Sequence, residues 1–455
     1  MKYYLAVDIG ASSGRHILAS TDGGKIYLEE IYRFDNGPIE KDGSLFWDVE
    51  YLYTQIVAGL KKAKEIGKIP HSIGVDTWGV DYALLDKEDK VIGGVYAYRD
   101  SRTEKQIPLV HKKVPFESLY ENTGLGFASY NTVYQLSDDL YSGRMEKAES
   151  LLMLPDYFHF RLTGVKRQEY SNATTTGLIN ARTKEWDKEI ICTLGYKEKL
   201  FSPISRSGEI VGGLTDALVK EIGYTAKVVL SATHDTASAI LGAPIDEEMA
   251  FISSGTWSIL GVEQSRAFTD EKALASGYSN EGGHEGKNYL LKNIMGLWII
   301  QRLRKELAPS LSYAEIADLA RGNPVEEIID VNDDCFLAPE SMANAIWEKA
   351  GRRMCLGETA YCVLNSLAVY YAESVKKLEE TTGVVYRKIN IIGGGSQNAL
   401  LNELTEKHAK KKILAGPIES TALGNALVQM MADGAISTLE KARELVRKSF
   451  EIKEI

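Results

Sequence analysis

Apolar and polar positions along the chain alternate between two periods. Tyr3-Tyr4-Leu5-Ala6-Val7 is a short unbroken apolar run, which predicts a buried strand. A turn of small residues follows, Asp8-Ile9-Gly10-Ala11-Ser12-Ser13-Gly14, and Arg15 to Ala19 reads as a returning strand. Asp22-Gly23-Gly24 breaks that strand, and Lys25 to Phe34 resumes as a third, so the opening is a β-meander. Residues 49–66 switch to helical spacing, with Leu52, Ile56, Leu60 and Ala63 on one face. Ser72 to Val75 predicts another strand, running into Asp76-Thr77-Trp78-Gly79. Val228 to Leu230 is a strand that ends in Ser231-Ala232-Thr233-His234-Asp235 and opens a small-residue helix. Gly242-Ala243-Pro244 breaks the helix, and a domain boundary is predicted there, dividing the chain into 1–242 and 243–455.

The second half begins as the first does. Ala250 to Ser253 reads as a strand, Ser254-Gly255-Thr256 as a turn, and Trp257 to Gly261 as a returning strand. An approximate internal duplication is the economical explanation. A long amphipathic helix then carries Tyr361, Leu364, Leu367, Tyr371, Val375 and Leu378. The strand Lys388 to Ile392 ends in Gly393-Gly394-Gly395-Ser396, with a helix expected from Gln397 or Asn398. Strands and helices in this alternation predict an α/β fold.

Composition narrows the function classes. The chain has 455 residues, 44% of them hydrophobic and 25% charged, which is ordinary for a globular protein. Its net charge of −10 argues against a nucleic-acid binder, which would show a basic footprint. No signal peptide and no apolar run of membrane-spanning length is present, so a cytoplasmic location is expected. The four Cys (192, 335, 355, 362) form no CxxC, and the His are scattered, so no zinc pattern appears. Cys355 and Cys362 on one helix would sit about 10 Å apart, too far for a disulfide. Reduced, buried thiols are expected.

Three turns could carry chemistry. In the first, glycines let a backbone approach a phosphate, consecutive N–H groups make an anion nest, and Ser hydroxyls add donors. Asp8 could hold the waters of a Mg²⁺ ion that bridges phosphates. A plain hairpin turn would read the same way, and neither GxxxxGK[ST] nor a GxGxxG opening a helix is present. The turn at Ser253-Ser254-Gly255-Thr256 has the same character, and the helix after the tri-glycine would point its N-terminus at an anion. Asp235 stands at a strand end, where an acid could take a proton from a hydroxyl attacking a phosphoryl group. It could equally be a helix N-cap. The segment Asp76 to Tyr82 mixes an aromatic with carboxylates, as a sugar site would, or as a packed Trp beside solvent-facing acids would. Tyr98 to Arg102 reads as a salt-bridged loop.

In this order the motifs resemble the FGGY family of carbohydrate kinases over essentially the whole chain. The deciding segments are Asp8 to Arg15, Gly74 to Asp81, His234 to Ala239, Ser254 to Ser258, Asn293 to Trp298 and Gly393 to Asn398. The resemblance implies a two-domain actin-like ATPase (ribonuclease H-like) fold, each domain a mixed five-stranded sheet flanked by helices, with the active site in the interdomain cleft. The likeness is closest to the branch that acts on L-rhamnulose. The implied reaction takes ATP and L-rhamnulose to ADP and L-rhamnulose 1-phosphate, with Mg²⁺ as cofactor. By the same resemblance Asp235 would be the general base, and Gly79, His234, Thr236 and Asn293 would join it in holding the sugar. Ala11, Ser12, Ser13, Gly14, Arg15, Thr256, Gln301 and Gly395 would bind ATP, and Asp8 the metal through water. Asp100 and Arg102 fall where the family has Trp-x-Asp-x-Arg, with Tyr98 in place of the Trp. L-fuculose, L-xylulose and D-xylulose are alternative substrates. A sugar-independent ATPase switch of the actin/Hsp70 kind, or a sugar-binding regulator without activity, would keep the fold. No nucleic-acid or membrane partner is expected, and the oligomeric state is left open.

Overall fold

Strand register explains why the first apolar run is unbroken. In the computed structural model, which describes residues 2–455, Tyr3–Ile9 lies inside a six-stranded sheet. The order is Ile210–Gly213, Lys227–Val229, Pro70–Thr77, Tyr3–Ile9, Ser13–Thr21, Ile26–Asp35. Tyr3–Ile9 pairs antiparallel with Ser13–Thr21 and parallel with Pro70–Thr77. Both of its faces are covered. Leu5, Val7 and Ile9 pack with Leu52, Ile56 and Leu60 of the helix Val49–Glu65. On the other face Ala6 and Ile17 meet Ala422 of the helix Ser420–Ala432. A strand buried on both faces has no polar alternation to display.

Side chains two apart share a face. Asp8 therefore lies on the Ala6 face, and Asp76, in parallel register with Asp8, lies beside it. On that face Ser72, Gly74 and Asp76 look toward Ser420–Ala432: Ser72 donates to Gln429 and Asn425 donates to Asp76. Gly74 has to lack a side chain, because a Cβ there would run into the Asn425 amide. The helix itself lies close to Asp235–Gly242, since a Cβ on Gly424 would strike the Ser238 carbonyl.

The chain divides into two compact units. The first comprises everything up to Gly242 together with Gln264–Leu290 and Thr421–Ser449; the second comprises Ala243–Glu263, Leu291–Ser420 and Phe450–Ile455. A single cut at 242/243 leaves out the two segments that fold back. Gln264–Leu290 is tied to the first unit by Tyr120, which donates to the Tyr278 carbonyl, and by Asn280, which donates to the Gly124 carbonyl. In the second unit six strands follow one another in hydrogen-bonded order: Asn288–Met295, Trp257–Gln264, Met249–Ser254, Lys388–Ile392, Lys412–Ala415 and Lys453–Glu454. Both sheets thus exceed the five strands expected. Met249–Ser254 pairs antiparallel with its hairpin partner and parallel with Lys388–Ile392, the same local plan as in the first unit.

The long amphipathic pattern is the helix Leu356–Thr382, opened by a capping box with Glu358 and closed by Gly383 at φ 74°. The cysteines are free, but only Cys362 is buried; Cys192 and Cys355 are exposed and Cys335 is half-buried, so the expectation of buried thiols holds for one of four. Among the described residues, no helix is long and apolar enough to cross a membrane.

Candidate functional site

The first hairpin turn is shorter than its sequence suggests. Asp8 and Ile9 still belong to the strand, and Ser13 already begins the next, so the turn proper is Gly10-Ala11-Ser12. Gly10 N–H donates to the Ser13 carbonyl at 2.9 Å. Asn36 clasps the turn, donating from its backbone to Ser12 and from its amide to the Gly10 carbonyl at 2.8 Å. Ser12 is exposed, Ala11 and Ser13 are half-buried, and Gly14 is buried where a Cβ would enter the Phe34 ring. Below the turn, Arg15 donates through Nε to Asp8 Oδ2 at 2.9 Å, and its terminal nitrogen lies at the same distance.

Asp235 opens the helix Asp235–Gly242 at the end of a strand-like segment that bridges Thr77. Thr77 N–H donates to the Thr233 carbonyl at 3.0 Å, aligning the two segments. Glu169 anchors the same loop: one of its oxygens accepts from Thr233 N–H and hydroxyl and from Ser171 N–H. Asp235 Oδ1 accepts the Thr236 N–H at 2.6 Å, so it does help to start the helix. It still keeps 31% of its side-chain surface open. Burial pushes its pKa up to about 6, the His234 imidazole opposes that rise, and Asp8 adds to it. His234 Nε2 stands 3.4 Å from Asp235 Oδ1, and its Nδ1 3.2 Å from Glu281 Oε2. Thr236 is buried behind the acid, and Gly79 is buried where a Cβ would meet the Thr175 side chain at 2.8 Å. Asp8, Arg15, Asp76, Gly79, His234, Asp235 and Thr236 all belong to the first unit.

In the second unit, Gly255 N–H donates to the Trp257 carbonyl and closes the turn, leaving Thr256 exposed. Thr256 Oγ1 donates to Gln301 Oε1 at 3.2 Å, and Trp298 N–H donates to the Thr256 carbonyl at 3.0 Å. These bonds bring Thr256 and Gln301 together. Gly395 is buried against the Ser254 side chain, and Gly394 is the exposed member of the tri-glycine. A short turn of tight helix, Gly394–Gln397, intervenes before the helix Ala399–Ala409, whose N-cap is Asn398. Asn293 is exposed on Asn288–Met295, on the second unit's portion of that strand.

Several expectations change. Asp76 and Asp81 do not face solvent, for both are fully buried. Asp81 accepts from Trp47 and Trp78 Nε1 and from Gln135, and Asp76 from Asn425. Burial raises both acids, Asp81 to about 6 and Asp76 well above the carboxylate range, with Asp8 adding to the effect on Asp76. The Asp100 carboxylate and the Arg102 guanidinium form no ion pair with each other; within the loop Asp100 accepts the Arg102 backbone N–H at 2.9 Å. Asp100 accepts Leu45 N–H and caps Ser101–Thr103, while Arg102 reaches Asp139 at 3.0 Å and Asp138 at 3.2 Å. Glu281, Glu169, Asn36 and Asn425 went unread in the sequence, because each meets its partners only through the tertiary fold.

Magnesium fits this setting in a particular way. Among the described residues no three His, Cys, Asp or Glu side chains gather to hold a metal directly. Asp8 and Asp76 offer hard oxygens side by side, and Asp76 Oδ1 has no hydrogen-bond partner. Mg²⁺ keeps several waters and takes one or two carboxylates beside substrate phosphates, so this donor set suits an ion carried in by a nucleotide.

The chain matches the models of the FGGY family of carbohydrate kinases, the N-terminal domain over residues 3–242 and the C-terminal domain over 250–432. It is 45% identical to a rhamnulokinase of Halalkalibacterium halodurans, covering 100% of this chain and 98% of that one. It is 38% identical to a rhamnulokinase of Bacillus subtilis, covering 99% and 94%. In fold it resembles the ligand-bound xylulose kinase of Lactobacillus acidophilus, with a TM-score of 0.83 at 17% identity, over 100% of this chain and 93% of that one. It also resembles the ADP-bound glycerol kinase of Plasmodium falciparum, with a TM-score of 0.80 at 17% identity, over 99% and 94%. With both family models matched across most of its length and full-length relatives at 38 to 45% identity, the chain belongs to the FGGY family of carbohydrate kinases.

Proposed function

We propose that the protein transfers the γ-phosphoryl group of ATP to O1 of L-rhamnulose, with Asp235 as general base. The observation that carries the chemistry is the Asp235 carboxylate, part-open beside His234 and raised to about 6. Such a group is ionised at neutral pH yet accepts a proton more readily than an ordinary carboxylate. The sugar is supported by full-length relatives named rhamnulokinase at 38 to 45% identity. In the reaction, Asp235 takes the O1 proton as O1 bonds to the γ-phosphorus. The bond from that phosphorus to the β–γ bridging oxygen breaks, and ADP leaves. His234, Thr236, Gly79 and Asn293 would hold the sugar. Residues 11–15, Thr256, Gln301 and Gly395 would hold the nucleotide, and Asp8 the waters of Mg²⁺. Mg²⁺, when bound with ATP, supplies neutralisation of charge on the β- and γ-phosphates. A cytoplasmic location goes with this reading.

The test is ADP release with ATP and Mg²⁺ across L-rhamnulose, L-fuculose, L- and D-xylulose, L-ribulose and glycerol. A rate about a hundredfold higher with L-rhamnulose is expected, equivalent to about 2.7 kcal/mol of transition-state discrimination. Preference for another ketose would move the substrate assignment, and ADP release indifferent to every sugar would overturn the kinase assignment.

A further inference from the structure

We infer that Glu281 is a positioning residue for phosphoryl transfer: from the strand Ser279–Gly282 it holds the His234 imidazole, which in turn faces Asp235, so that the three side chains work as one unit. The inference rests on Asp235 being the base. Glu281 is far from the base in sequence and enters the first unit with the segment that folds back. Its strand is pinned on both sides. Asn280 donates to the Phe268 carbonyl at 2.7 Å, and its Oδ1 accepts the Phe268 N–H at 2.8 Å. Gly282 N–H donates to Thr174 Oγ1 at 2.8 Å, and a Cβ on Gly282 would strike the Tyr170 ring. Asn280 and Gly282 are thus fixed on one face, which directs Glu281 to the other. Only 12% of its side-chain surface is open, so its carboxylate is set in place rather than swinging in solvent.

The charges make the arrangement consequential. An imidazole as enclosed as His234 would lose its proton by burial alone. Glu281, Asp235 and Glu169 face it from three elements and raise its proton affinity above the ordinary imidazole value. The contact to Glu281 is an ion pair at 3.2 Å without the in-line angle of a hydrogen bond. Asp235 is faced by His234 and, from the sheet, by Asp8 and Asp76. Glu281 is faced by His234 and the Tyr130 hydroxyl. A charged His234 opposes burial and the Asp8 carboxylate, and so favours the ionised form of Asp235. Without Glu281 the imidazole goes neutral at a lower pH, and Asp235 then holds its proton to a higher pH.

The variant Glu281→Gln keeps the size and removes the charge. With wild-type sugar-dependent turnover first in hand, its kcat is expected to fall about tenfold to a hundredfold. The acid limb of its kcat–pH profile should move up by about one unit, with the KM for ATP unchanged and Glu281→Asp restoring part of the loss. In a His234→Gln background, Glu281→Gln should produce no further shift of the limb. An unmoved limb, or a rise in sugar KM with kcat intact, overturns the inference. If Glu281→Gln does not fold, the wild-type His234 imidazole followed by NMR decides: titration above about 6.5 supports the ion pair, and titration below it overturns it. A wild type with no sugar-dependent turnover would sink the kinase assignment, and the imidazole titration would still report on the pair.

Discussion

In the first unit the hairpin turn at Gly10–Ser12 stands over a carboxylate and a guanidinium, Asp8 and Arg15, locked at 2.9 Å. In the second the turn at Gly255-Thr256 has no charge of its own: Thr256 meets Gln301, and Ser254 packs against Gly395. The backbone plan is shared, an antiparallel hairpin whose first strand also pairs in parallel with a neighbour. The same local frame therefore carries different side-chain chemistry in its two occurrences. The first hairpin sits beside the acids proposed to handle a proton and a metal, and the second offers neutral donors and a close backbone.

Substitutions can break that division of labour, beginning with the largest effect. Asp235→Asn should lower kcat by about 10²- to 10⁴-fold, the span of a lost general base, while ATP binding measured by calorimetry persists. Affinity for ATP that collapsed together with turnover would contradict the role. Next, Arg15→Ala leaves Asp8 charged without its partner in a largely buried place, a change worth about 3 to 5 kcal/mol, and thermal unfolding should show it. Thr256→Ala, the neutral counterpart, should cost only about one hydrogen bond, raising the ATP KM by about tenfold at most with kcat nearly kept. An equal loss of stability in both variants would show that the two hairpins do not differ as described.

The pH profile sharpens the same contrast. Since the Asp235 pKa is raised to about 6, its carboxylate disappears as pH falls through that value. Wild-type kcat should drop below about pH 6, approaching tenfold per unit, and Asp235→Asn should lack that limb. Gly424→Ala gives the smallest expected effect on chemistry. Its Cβ would meet the Ser238 carbonyl, so it should cost about 1 to 3 kcal/mol of stability with kcat little changed.

Legibility in the sequence followed the range of the contacts. Short apolar runs and the Gly-Ser turns show the hairpins, and steps of three and four show Val49–Glu65 and Leu356–Thr382 within a few residues of their ends. Asp235 stands out because a polar triplet interrupts a strand-to-helix junction. Asp76 and Asp81 misled for the same reason. A carboxylate at a strand end looks available, but the partners that enclose them, Asn425 and Trp47, come from far along the chain. Glu281 was invisible because nothing in Ser279–Gly282 marks which neighbour its side chain will meet. Asn36 shows its value only once the turn it clasps is built.

The returning segments also bear on how the molecule is made. The first unit needs Glu281 and Asn280 from Gln264–Leu290 and the cover of Thr421–Ser449 over its sheet. On a ribosome, the strands up to Gly242 emerge long before those pieces exist. Asp76 then has no Asn425 to hold it, and Ala6 and Ile17 lack the helix that shields them. The first unit begins to leave the tunnel early, yet it cannot finish until residue 449 has followed. Its nascent form leaves Ala6 and Ile17 uncovered until the helix Ser420–Ala432 has been synthesised.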